Sequence, residues 1–150
     1  MNNLYHNEIL CMFILEKFFK LNKTVEIEKI YLLLPLVFDD KVMKKFSRIT
    51  KITNLIDYVL SEPSIFTKQK KLYFEYLILT TNTLQLCIEN KLLELNNNEI
   101  TINECNCLFN DYQFKSNKII NTIMKNLDIV SFIIKNEESY ELYHTLRIEV

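Results

Sequence analysis

Apolar residues recur at helical spacing from the start of the chain. Ile9, Leu10, Phe13, Ile14 and Phe18 fall three and four positions apart, which predicts a helix from about Asn7 to Lys20. Asn22 and the charged stretch behind it predict its end. The run from Ile30 to Phe38 is apolar throughout and too short for its period to separate a buried helix from a strand; a helix broken near Pro35 is expected. From Lys41 to Thr50 the pattern divides cleanly. Val42, Phe46 and Ile49 share one side of a helix, and Lys41, Lys44, Lys45 and Arg48 share the other.

Residues 52–103 are the most legible. An apolar helix is expected from Ile52 to Leu60, a turn at Ser61-Glu62-Pro63, and a second helix from about Thr67 to Leu79. A third, short helix follows in this reading, with Asn82 as its N-cap, Gln85 at capping-box spacing, and Leu84, Leu86, Cys87 and Ile88 as its apolar surface. Leu92 to Leu95, the turn Asn96-Asn97-Asn98, and Glu99 to Ile102 then predict a β-hairpin, because asparagine tolerates the positive φ of such turns. Three helices and a hairpin give the order of a winged helix. A last helix is expected from about Lys115 to Lys135, with Ile119, Ile120, Ile123, Leu127, Val130 and Phe132 on its apolar side. The fold class expected is mainly α with a small β-hairpin: one domain over residues 1–150, its winged-helix-like core at about 52–103 flanked by N- and C-terminal helices.

Composition limits what such a domain does. With 49% hydrophobic residues in 150, the chain has apolar surface enough for a core of its own. Its longest apolar run is far shorter than the ~20 residues of a membrane span, and its first residues lack a signal peptide's basic start. A cytoplasmic location is expected. The four cysteines, at positions 11, 87, 105 and 107, then read as reduced thiols rather than a disulfide framework.

Glycine is absent from the whole chain. Phosphate-cradling loops need backbone close to oxygen anions, in conformations where a Cβ would clash, so nucleotide hydrolysis belongs to some other subunit. The glycine-flanked serine elbow of hydrolases is excluded on the same ground. Only His6 and His144 could serve as an imidazole base, and neither lies in a motif. Cys105-x-Cys107 lacks the second knuckle that structural zinc sites normally use. Asp39-Asp40 reads as the start of the following helix rather than a cation site. No catalytic residue, cofactor or metal site is expected, and the chain is not expected to be an enzyme.

The net charge of −1 hides an uneven distribution. Residues 41–71 hold eight Lys or Arg against Asp57 and Glu62, whereas residues 91–150 hold six basic and nine acidic side chains. The candidate face for DNA or a partner is therefore Lys41, Lys44, Lys45, Arg48 and Lys51. By contrast, the polar positions of the expected third helix, Thr83, Gln85, Glu89, Asn90 and Lys91, carry almost no net charge and suit groove reading poorly.

The opening Leu4-Tyr5-His6-Asn7-Glu8, the run Leu32 to Phe38 around Pro35, the basic helix leading to Leu55-Ile56-Asp57-Tyr58-Val59-Leu60, and the segment Leu84 to Leu95 before a polar hairpin form a recognisable series. It resembles the middle components of bacterial three-component ABC ATPase systems, small accessory proteins of anti-phage defence complexes such as Lamassu. The resemblance implies an adaptor joining an SMC- or Rad50-like ABC ATPase to an effector subunit, often a nuclease. DNA would then be met weakly or through the complex. The alternative is a free-standing winged-helix DNA-binding regulator.

Overall fold

The computed structural model of the chain describes residues 7–109 and 116–149. In chain order its elements are α1 (Glu8–Leu21), β1 (Thr24–Glu26), α2 (Ile27–Ile30), α3 (Leu33–Val37), α4 (Asp40–Phe46), α5 (Leu55–Ser61), a 3-10 turn (Pro63–Phe66), α6 (Gln69–Glu89), β2 (Leu93–Asn96), β3 (Glu99–Ile102), α7 (Lys118–Asn136) and α8 (Ser139–Thr145). The architecture is mainly α with a small antiparallel sheet, as the sequence predicts.

Asn7 starts α1 by accepting hydrogen bonds from the backbone N–H groups of Ile9 and Leu10, at 2.9 and 3.2 Å, which otherwise have no partner in a first turn. Leu10 to Leu15, Glu16, Phe18 and Phe19 are all buried, so α1 is enclosed rather than one-sided. It packs against α6, α7 and β3. Each fully buried Leu or Phe contributes roughly 1.5–3 kcal/mol relative to exposure, which makes α1 the centre of the core. Glu16 is the exception in this apolar setting, at 0% exposure. Its carboxylate accepts the N–H groups of Leu108 and Phe109 at 3.0 and 3.2 Å, and Lys20 Nζ lies 3.1 Å away. A buried carboxylate is tolerable only with such partners. The segment after β3 is thereby fastened to α1, and Phe109 also meets Phe13 edge to face at 5.6 Å.

The hairpin forms where the alternation places it. Leu95 stands opposite Ile100 and Asn96 opposite Glu99, with Asn97 in the turn at φ 57°. The charged stretch after Asn22, read from the sequence as a break, holds two further elements. Its β1 adds to the hairpin in the order β1-β3-β2, with Val25 opposite Ile100 and Thr24 Oγ1 3.0 Å from Thr101 Oγ1. This strand comes from outside residues 52–103, so the sheet is completed by the N-terminal part of the chain.

Several expected boundaries move. The break near Pro35 falls earlier, at Tyr31-Leu32; Pro35 sits in the first turn of α3, where a missing N–H costs little. The helix at Lys41 begins at Asp40 and ends at Phe46. Helix α5 begins at Leu55 rather than Ile52, and Phe132 of α7 faces outward at 45% exposure. The separate third helix does not exist: α6 runs unbroken for 21 residues through Asn82, which caps nothing. Buried Leu79, Thr80, Thr83 and Leu84 hold that stretch against the core, and Thr83 Oγ1 donates to the carbonyl of Leu79 at 2.7 Å. Tertiary packing outweighs the low helix propensity of Thr and Asn. Helix α8, which the pattern did not announce, docks through Leu142.

Glu16→Ala leaves Lys20 and two backbone N–H groups without their buried acceptor, and is expected to cost about 2–3 kcal/mol. Thermal denaturation should show a midpoint about 4–12 °C lower. Asn97→Val, forcing a β-branched residue to positive φ, is expected to cost about 1–2 kcal/mol; Asn97→Gly should not.

Candidate interaction surfaces

The basic helix α4 is held firmly from behind. Asp39 caps it, accepting from the N–H groups of Lys41 and Val42 at 3.1 and 3.4 Å. Gln69 Nε2 donates to Asp39 at 3.1 Å and to the Pro35 carbonyl at 2.9 Å. Asn126 of α7, itself buried, donates to the Met43 carbonyl at 3.1 Å and to Ser47 Oγ at 3.0 Å. Val42, Met43 and Phe46 face the core, so the helix presents Lys41 and Lys44 to solvent. Arg48 and Lys51 are exposed in the segment beyond the helix end. Lys45 is different. It is half-buried and ion-paired with Glu62, beyond the end of α5, so part of its charge is already answered. The structure thus sets four of the five basic candidates on open surface and turns the fifth toward a carboxylate.

The groups considered for chemistry do not converge. His6 lies outside the described residues, and His144 is exposed on α8. Cys11 and Cys87 are buried, and burial pushes both thiols up to about 12, which keeps them protonated. Cys105 and Cys107 are exposed. Among the described residues no three His, Cys, Asp or Glu side chains stand together to hold a metal ion.

A groove of about 860 Å³ runs between α2, α6 and α8, with Tyr31, Tyr73, Tyr140 and Tyr143 in its walls. Tyr143 donates its hydroxyl to the Glu28 carbonyl at 2.6 Å and stacks edge-on to Tyr73 at 5.5 Å. Burial, then the Tyr73 hydroxyl, holds the Tyr143 phenol far above the ordinary tyrosine range. Tyr143 therefore stays a neutral phenol at neutral pH. The sequence does not single out these tyrosines, because positions 31, 73 and 143 converge only in the folded chain; its eight tyrosines are the one signal.

Large apolar side chains also stand in solvent, among them Leu60, Ile78 and Tyr140, each more than 70% exposed. No helix among the described residues is long and apolar enough to cross a membrane. Leu60 lies on α5, Ile78 on α6 and Tyr140 on α8, so the exposed apolar groups are spread over three helices.

A family model described as ABC-three component (ABC-3C) system Middle Component 3 matches residues 1–150, and the chain belongs to this family. Membership implies partner components such as an ABC ATPase. No curated protein and no solved structure matches the chain at a significant level.

Two outcomes test the cysteine chemistry. A thiol-specific reagent should label Cys105 and Cys107 rapidly in the native protein and reach Cys11 and Cys87 only on unfolding. Because burial raises the two inner thiols, the folded chain keeps their protons where the unfolded chain loses them. Stability should therefore fall as pH rises above about 9 and go on falling to about 12, read by denaturant titration across that range.

Proposed function

We propose that the chain is a non-catalytic adaptor that joins an SMC- or Rad50-like ABC ATPase to an effector, such as a nuclease, in a cytoplasmic anti-phage defence complex of the Lamassu kind. The observation that carries this reading is the set of large apolar side chains left at the surface of a chain that the middle-component family matches over residues 1–150, Leu60, Ile78 and Tyr140 foremost. Stable obligate interfaces commonly bury upwards of about 2,000 Å² and are rich in such groups. The missing glycine supports the same division of labour: the phosphate-binding loops reside in the ATPase.

A free-standing winged-helix regulator is the second reading. The long helix α6 leading into a hairpin edged by β1 favours it. Against it, Thr83 is buried and bonded to its own helix, and Gln85 donates to Glu89 at 3.1 Å. Groove-reading side chains need to be open and donor-rich.

Co-expression with the neighbouring components should yield a stable complex that survives gel filtration, and the chain alone should be less soluble. A soluble monomer that retains neither component would end the adaptor reading. The isolated chain should bind DNA without sequence preference, at roughly 10⁻⁴ to 10⁻⁶ M, losing it as salt rises. Charge reversal at Lys41, Lys44 and Arg48 should weaken DNA binding by the complex and leave its assembly intact.

A further inference from the structure

Helices α5 and α8 pack side by side, although some 80 residues separate them, and build a surface of opposite sign to the basic helix. Ile56 and Leu60, one turn apart on α5, are exposed at 40% and 71%, and Tyr140 on α8 at 71%. Between the helices runs a groove of about 510 Å³, with Ile56 and Tyr140 in its walls beside Glu137, Glu138 and Glu141. Asp57 is exposed next to Ile56. Among the described residues no lysine or arginine lines this groove.

The acidic groups act on one another. Glu137 is half-buried, and its carboxyl is raised above the usual carboxylate range, first by burial and further by the fields of Glu141 and Asp57; the Leu55 N–H and Lys29 oppose this only in part. The Leu55 N–H donates to Glu137 at 2.9 Å, which pins the start of α5 to the end of α7.

We propose that the α5–α8 surface docks a basic amphipathic helix of a partner component. This deepens the adaptor reading and rests on it. The exposed Ile56, Leu60 and Tyr140 supply apolar anchor sites for residues at i, i+3 or i+4, and i+7 of such a helix. The carboxylates select its sign: lysines or arginines flanking the anchors meet Asp57, Glu138 and Glu141, whereas a nucleic acid or an anionic membrane is repelled. Aromatic residues such as Tyr140, exposed beside a pocket, are common energetic centres of protein interfaces.

The test uses the full chain in complex with its ABC ATPase and effector components. Carbodiimide cross-linking joins carboxylates directly to lysines in contact with them. Mass spectrometry should find Asp57, Glu138 or Glu141 linked to lysines of one helical partner segment. Combined Asp57→Lys, Glu138→Lys and Glu141→Lys should cut recovery of that partner about tenfold or more, with the thermal midpoint of the isolated chain unchanged. Ile56→Ser with Leu60→Ser should do the same, removing the anchors and keeping the charge. Glu137 is left in place because it holds α5. Parental recovery by both variants, or cross-links confined to other carboxylates, overturns the assignment while leaving the adaptor reading intact. If the unaltered chain retains neither component, the adaptor reading fails and this surface falls with it.

Discussion

Nine of the fourteen residues of α1 are buried, and they point in every direction around its axis. Along its middle such a helix has no side for water, so the rest of the chain has to enclose it there. Helices α6 and α7 close two flanks and β3 a third. Glu16 dictates part of that enclosure, since a carboxylate taken out of water needs donors at close range. Lys20 and the N–H groups of Leu108 and Phe109 provide them. The sheet, the segment behind it and the long helices are thus placed by the requirements of the first helix. The basic surface of α4 and the acidic, apolar surface of α5 and α8 lie on elements outside this enclosure.

Those surfaces are polarised. Helix α4, capped by Asp39 and braced by Gln69 and Asn126, shows positive charge on a rigid support. Helices α5 and α8 show carboxylates around apolar side chains. Faces of opposite sign on one small chain favour partners of opposite charge, because like charges opposed across an interface penalise the wrong pairing. The small net charge is the sum of regions of opposite sign.

The sequence was most informative where a local period is strong. Helices α1 and α7 and the hairpin follow directly from apolar spacing, and the Asn97 turn from the chemistry of positive φ. It was misleading where packing decides. Asn82 looked like a cap, yet buried Thr80 and Thr83 carry α6 straight past it. Three-residue β1 has no signal of its own and exists only because β3 offers hydrogen bonds. The basic residues were legible as exposed, but the Lys45–Glu62 pair spans 17 positions and needed the fold. The acidic apolar groove was harder still, since Ile56 and Tyr140 meet only after α7 has returned the chain to α5.

The enclosure of α1 has a consequence in time. The Asn22 side chain just beyond α1 reaches the Ser131 carbonyl, 109 positions later, and that distance measures how late the last wall arrives. At a synthesis speed of about 5–20 residues per second, the first helix emerges from the ribosome roughly 5–20 s before α7 can cover it. Throughout that interval Phe13, Phe18 and Phe19 are accessible to anything apolar nearby. A helix that ends largely shut away from water is, while the chain is being made, an adhesive one.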